Sequence, residues 1–357
     1  MIHCLKMFVW FLCVYMLTAA RSQADAADRD DPQSVTALQK LATALKLDSD
    51  GYVVEVNFRG AKIDDSALIH LPGLHRLKSV LLNDTAVTDA GLATLGKSTT
   101  LQNLDLRGCK VSNTGIAHLT NLNKLKALRL SGKNGATTVD DRALADIGKL
   151  TNLKALLLDF LWVSEEGLVQ LKTLQKLEEL YLARTLVGDE AMSVLQQFPK
   201  LRQLRISQTQ VTGQGLAALA TLKQLEDLDV SQCSQLSDDS LVPLAETTQL
   251  KRLNLWRVAI TDDGATPLAK LINLQWLNLD NTQVTDDGLR HLQGMQKLAT
   301  LHLGSTAVSD DGLSRLAGLL ALKDLNVTRT AVTAAGVQEL EKKLPNTTVQ
   351  LEYIERP

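Results

Sequence analysis

A phrase of the form L-x-x-L-x-L returns along this chain at a near-constant spacing of 24 residues, and no other feature limits its folding as severely. It begins at Leu77 and recurs at Leu101, Leu125, Leu153, Leu177, Leu201, Leu225, Leu250, Leu274, Leu298 and Leu322. A weaker copy starts at Val53, and a truncated one, Val349-Gln350-Leu351, closes the series. The expectation is twelve full repeats of 24 residues and one terminal strand. Two steps depart from the period: 28 residues from Leu125 to Leu153, and 25 from Leu225 to Leu250. Self-similarity at this period signals a stacked array, not a closed globule.

The full unit, L-x-x-L-x-L-x-x-T-x-V-T-D-D-G-L-x-x-L-x-x-L, is cleanest at 274–295 and 298–319. Its opening half alternates with period two around Leu277-Asn278-Leu279, the pattern of a strand with one buried face. Its closing half places Leu289, Leu292 and Met295 three apart, which predicts a short helical or 3-10 segment. Between them, Val-Thr-Asp supplies an apolar pin, a hydroxyl N-cap and an acid where the helix dipole favours one. One unit alone cannot bury its apolar side. Stacking joins those sides into one core, so the chain is expected to be an α/β solenoid, a curved horseshoe with a parallel sheet on the concave face and short helices on the convex face.

These phrases resemble the leucine-rich repeat superfamily, from Val53 to the end of the chain. The Val-Thr-Asp-x-Gly-Leu signature at 87–92 and 284–289 is similar to the cysteine-containing and GALA-type classes. Those classes occur in exported bacterial proteins and in F-box substrate receptors of ubiquitin ligases. The resemblance implies protein binding in general and names no partner.

The residues ahead of the repeats divide in two. Residues 7–17 are an unbroken apolar run, followed by small residues at Thr18-Ala19-Ala20, Ser22-Gln23-Ala24 and Ala24-Asp25-Ala26. That is the layout of a secretory signal peptide, assigned to 1–26. The run is shorter than the roughly 18 apolar residues that read as a spanning helix. Export to the periplasm, the envelope or the medium is therefore expected, with membrane anchoring if the signal is retained. Residues 27–52 are expected to form an N-terminal cap, a helix opened by Asp31-Pro32 whose stripe of Val35, Leu38, Leu41, Ala42 and Leu45 covers the first repeat. The solenoid then spans 53–357, and Glu352, Glu355, Arg356 and Pro357 would blunt its last strand edge.

Several motifs lose their chemistry once placed on the repeat. Residues 91–98 match G-x-x-x-x-G-K-[ST], but Leu92 and Leu95 are core positions of a helical turn, so no phosphate loop is expected. Acidic pairs (Asp64-Asp65, Asp140-Asp141, Glu165-Glu166, Asp238-Asp239, Asp262-Asp263, Asp286-Asp287, Asp310-Asp311) recur at one position and are expected to serve helix starts. Cys109 and Cys233 occupy the slot that is threonine in most repeats, five repeats apart. At ~4.8 Å per strand that separates them by more than ~20 Å, so no disulfide joins them. The histidines fall on different slots without metal-ligand spacing, and Asp105 and Asp229 lie five repeats apart instead of opposed. No catalytic, metal or cofactor residue emerges, and a net charge of −2 gives no bulk attraction to nucleic acid.

What remains is the variable surface of the strands. Its central slot includes Arg129, Leu157, Tyr181, Arg205 and His302. Leu157, Tyr181 and Arg205 are consecutive, with Phe160, Trp162 and Arg184 toward the same rim, and Arg252, Trp256 and Trp276 form a second cluster. Exposed aromatics beside arginines are what binding hot spots favour. The sequence thus predicts a monomeric, non-enzymatic scaffold binding a protein or a cell-envelope component on its concave face. The alternative is an F-box-type adaptor, although the stretch between leader and repeats holds room for one helix only.

Overall fold

The computed structural model describes residues 29–352, so the leader at 1–26 and the charged tail at 355–357 lie outside the described residues. A single sheet takes strands in chain order from β1 to β14. These are β1 (Ala44–Leu47), β2 (Val53–Asn57), β3 (Ser79–Leu81), β4 (Asn103–Asp105), β5 (Ala127–Ser131), β6 (Ala155–Asp159), β7 (Glu179–Tyr181), β8 (Gln203–Arg205), β9 (Asp227–Asp229), β10 (Arg252–Asn254), β11 (Trp276–Asn278), β12 (Thr300–His302), β13 (Asp324–Asn326) and β14 (Thr348–Gln350). From β2 onward every neighbour is parallel and each repeat contributes one strand, as the alternating half of the phrase predicts.

The repeating leucines make the core. In the clearest unit Leu274, Leu277, Leu279, Val284, Leu289, Leu292 and Met295 are all 0% exposed, and the equivalents fuse into one cluster running from Leu38 to Leu344. Each fully buried leucine contributes about 1.5–3 kcal/mol relative to exposure. Among the described residues no helix is long and apolar enough to cross a membrane.

Each strand ends in a sharp turn whose second residue has a positive φ of 55–62° in nine non-glycine cases, among them Phe160, Arg184, Gln208, Arg257 and Asn281. A left-handed L-residue costs about 1–2 kcal/mol. The turn recovers part of this by keeping the backbone ladder: the N–H of Phe160, Arg184, Gln208 and Arg257 donates to the carbonyl of Ala183, Ser207, Ser231 and Asp280 in the next repeat, at 2.7–3.0 Å.

The N-terminal cap differs from its expectation. The helix α1 (Pro32–Leu41) is capped by the Asp31 carboxylate and buries Leu38, but it stops before Leu45. The chain instead turns into β1, which pairs antiparallel with β2, so Leu45 packs on the core from a strand opposite Val56, and Leu41 is 38% exposed. A free strand edge needs partners for its N–H and C=O groups, which a helix cannot supply. A tight Asp48–Gly51 turn makes the hairpin, with Asp48 accepting from Asp50 and Tyr52 N–H at 3.0 Å each. Arg76 then pins it, 3.7 Å over the Tyr52 ring and paired with Asp48 and Asp50 at 3.2 and 2.6 Å.

The acidic pairs do not share one position. Asp64 and Asp140 are themselves N-caps, accepting from the N–H of Ser66 and Arg142. In most other repeats the N-cap is threonine or serine, and the following aspartate reaches into the next repeat: Asp262 accepts from the N–H and Oγ1 of Thr285 at 2.8 and 2.7 Å. Segment 91–98 is largely the helix Asp89–Leu95, with Leu92 and Leu95 buried. Cys109 and Cys233 are buried and unpaired, each Sγ directed at a carbonyl of the preceding repeat, Leu82 at 3.2 Å and Ile206 at 3.1 Å.

Candidate functional site

Because strand residues alternate, the first and third residue of each three-residue strand face away from the core, and the parallel pairing aligns them into two rows. One row runs Tyr181, Arg205, Asp229, Asn254, Asn278, His302; the other runs Glu179, Gln203, Asp227, Arg252, Trp276, Thr300. Across β7 to β11 these rows border a shallow cavity of about 190 Å³ that opens to solvent, lined by Tyr181, Gln203, Leu204, Arg205, Asp227, Asp229, Arg252, Asn254 and Trp276.

Charge and aromatic contacts hold its walls. Arg205 lies 5.9 Å over the Tyr181 ring and is shared between Asp159 at 3.2 Å and Asp229 at 3.4 Å. Arg252 lies 4.2 Å over Trp276 and pairs with Asp227 at 3.2 Å. His302 extends the aromatic row, its ring 5.4 Å from Trp276 and its Nδ1 3.5 Å from Asp280. Burial pushes the carboxyl of Asp159 above its ordinary range, against the pull of Arg205. Burial does the same to Asp227, against Arg252, with Asp229 and Glu179 adding repulsion. The Tyr181 phenol is raised by burial first and then by Glu179.

The residues singled out from sequence separate accordingly. Tyr181, Arg205, Arg252 and Trp276 line one cavity, joining what the sequence divided into two patches, and His302 borders it. Leu157 is only 7% exposed: it lies in register between Arg129 and Tyr181, whose larger side chains flank it, so it supports the surface without being open to a partner. Arg129 sits further toward the N-terminus and donates to Asn103. Trp256 stands off the cavity, stacked under Arg257 at 4.9 Å, as Phe160 is under Arg184 at 5.4 Å. Trp162 does not join that pair; it lies on the flank, 71% exposed, bridged to Asp140. Sequence reasoning missed Asp227 and Gln203 because, outside the central slot, it took up only arginine and aromatic residues such as Arg252 and Trp276, although the same alternation exposes the whole of the other row.

A parallel-stacked solenoid that keeps its leucines inward and gathers variable aromatic and charged residues on the sheet face defines the class: a repeat scaffold whose surface varies independently of its core. The chain belongs to the leucine-rich repeat family, whose repeat-region profile matches residues 76–333. Its fold is similar to that of an internalin from Listeria monocytogenes, at 20% identity and a TM-score of 0.60, covering 92% of this chain and 96% of that one. It is likewise similar to a chain of the Rad7–Elc1 complex in yeast, at 19% identity and a TM-score of 0.60, covering 83% of this chain and 82% of the other. No curated protein matches the sequence.

Proposed function

We propose that the protein is an exported, non-enzymatic leucine-rich repeat scaffold that binds another protein on its concave face. The observation that carries this is the cavity between Tyr181 and Trp276, where four residues chosen for binding chemistry converge on one open surface. Aromatic and arginine side chains grouped in a concave pocket are what interfaces use as anchors. The yeast fold relative was itself solved in complex with a second protein, Elc1. A cell-envelope protein fits the apolar leader at 1–26, and the scaffold acts as a monomer.

The test uses the full-length chain as bait among the exported and envelope proteins of its source. Capture of a specific partner should fall at least ~10-fold, about 1.4 kcal/mol, on Tyr181→Ala or Trp276→Ala. Undiminished capture by both variants would remove the concave cavity from the mechanism. Sequencing the N-terminus of the mature protein decides export: cleavage near residues 20–26 supports it, while an intact N-terminus in the cytosol turns the reading to the F-box-type adaptor.

A further inference from the structure

The two flanks of the solenoid differ in charge. From residue 74 to 323 the connections that lead from a helical segment into the next strand carry Lys78, Lys124, Lys126, Lys176, Lys200 and Lys323, and none of these pairs with a carboxylate among the described residues. Lys176 meets only the amide oxygen of Asn152, at 2.6 Å. The acids in these connections are Glu178 and Glu226, and both are already engaged: Glu178 by Lys154 at 2.7 Å, Glu226 by Arg202 and Lys251 at 2.7 and 3.0 Å. Glu246, the last residue before another connection, is held by Lys270 at 3.3 Å. This flank therefore keeps positive charge that no neighbour neutralises.

Helix ends do not account for it. A cation serves the helix dipole only within the last turn. Lys124 and Lys176 each lie seven residues past their helices, Asn113–Ala117 and Glu165–Val169. The signature acids start helices at the other end of the strands. Across the five residues of β5, at ~3.3 Å each, that is ~16 Å away, about twice the ~8 Å Debye length at physiological salt.

The flank is also level, and it carries apolar points. From β3 to β14 the parallel pairs join first residue to first residue with no shift of register. Bending such a sheet about an axis parallel to its strands leaves their starts in one plane. Ile272 and Leu320 project from the same connections, 54% and 77% exposed, with Lys297 between them in sequence. Trp162 and Leu186 are comparably exposed but stand on the opposite flank, just ahead of the helix-start acids Glu165 and Asp189. A level surface joining unneutralised lysines to projecting aliphatic side chains fits an anionic bilayer. A nucleic-acid duplex is curved, and a soluble polyanion offers nothing apolar to Ile272 and Leu320.

We propose that the helix-to-strand flank seats the protein on an anionic lipid bilayer, with Lys124, Lys126, Lys176 and Lys200 facing the phosphate headgroups and Ile272 and Leu320 entering among them. The concave rows stay open to a protein partner, because they lie on the sheet face while these lysines precede the strands.

The full-length protein is titrated with vesicles of phosphatidylcholine alone and of phosphatidylcholine mixed with phosphatidylglycerol, at an ionic strength of about 0.15 M, and binding is read by co-sedimentation. The neutral vesicles measure whatever the apolar leader contributes, so the ratio of affinities reads the flank. Anionic vesicles should bind at least ~10-fold more tightly. Lys124→Gln, Lys126→Gln and Lys200→Gln together should abolish that preference. Lys62→Gln, Lys110→Gln and Lys133→Gln remove the same charge from exposed lysines of strand-to-helix connections and should keep it. Ile272→Ser with Leu320→Ser should weaken binding to anionic vesicles at least ~3-fold. Equal binding of both vesicles by the parent, or equal loss in the two triple variants, overturns the proposal. So does binding that the serine variant retains in full and inorganic polyphosphate displaces, which would assign the flank to a soluble polyanion.

Discussion

Asp262 and Gly288, in successive repeats, are shaped around one another: a Cβ on Gly288 would lie 2.5 Å from Oδ1 of Asp262. That carboxylate is fixed by Thr285, the N-cap of the helix containing Gly288. The pairing recurs at Asp65–Gly91, Asp89–Gly115, Asp141–Gly167, Asp189–Gly215, Asp238–Gly264, Asp286–Gly312 and Asp310–Gly336. Where the preceding repeat carries Asn113, Glu165 or Gly213 instead, the glycine is replaced by Ala143, Ala191 or Ser240. The signature glycine is therefore required by a neighbour's carboxylate, not by its own dihedral angles.

Gly288→Ala should destabilise the protein by about 1–3 kcal/mol through overpacking. Ala191→Gly, at the same position but without an aspartate behind it, should cost only about 0.5–1 kcal/mol, the helical penalty of glycine. Combining Gly288→Ala with Asp262→Ala should cost less than the sum of the single changes, a coupling read from denaturant melts of the four proteins.

The left-handed turn residues carry strain that a glycine would relieve. Gln208, at φ 57°, has its N–H tied to Ser231 and is the simplest to test. Gln208→Gly should be neutral to about 1 kcal/mol stabilising, the relief being offset by glycine's larger unfolded-state entropy. Gln208→Val should lose about 1–2 kcal/mol, since a β-branched residue tolerates this region worst. Thermal melts of the two variants against the parent give the comparison, and a stabilised valine variant would contradict the account.

Asp140 gives a pH signature. Arg142 beside it, with Asn113 across the repeat, lowers its carboxyl from 3.8 to about 2. A depressed acid contributes stability that is present above the unfolded value and lost as pH falls through the folded one. The parent should thus lose this contribution between pH 3.8 and about 2, and Asp140→Asn should flatten that part of the stability–pH curve.

Cys109 and Cys233 should resist alkylation in the folded protein, because burial holds both thiols above their ordinary range, Cys109 at about 11. Peptide mapping after a thiol reagent at pH 8 should find them modified only in denaturant. Cys109→Thr should change stability by less than about 1 kcal/mol, since threonine fills this slot elsewhere and bonds the carbonyl three residues back, as Thr282 does to Leu279 at 2.7 Å. Rapid native labelling would show that the slot opens.

Much of this was legible in the sequence because a repeat states its pattern many times over. The leucine phrase placed each parallel strand, and the threonine slot located both cysteines and forbade their pairing. The cap was legible only in part. Ala44–Leu47 alternates and Asp48–Gly51 spells a turn, yet the apolar stripe continued the helix equally well. The need of β2 for an edge partner decided it. Trp162 was read as lying beside the first binding patch and Trp256 as a member of the second, though their slots direct them to the flank and the rim.

By itself the sequence determined the fold, since a 24-residue apolar period leaves each unit unable to bury its leucines except against the next copy. Only the tertiary structure decided which side chains meet across repeats. Periodicity specifies the face a residue occupies and says nothing of reach, so it did not show Arg205 stretching back to Asp159 two strands away, Leu157 flanked by larger neighbours, or Asp262 entering the space that Gly288 leaves. Those relations depend on side-chain length and on what the neighbouring repeat leaves open, quantities that exist only once the repeats are stacked.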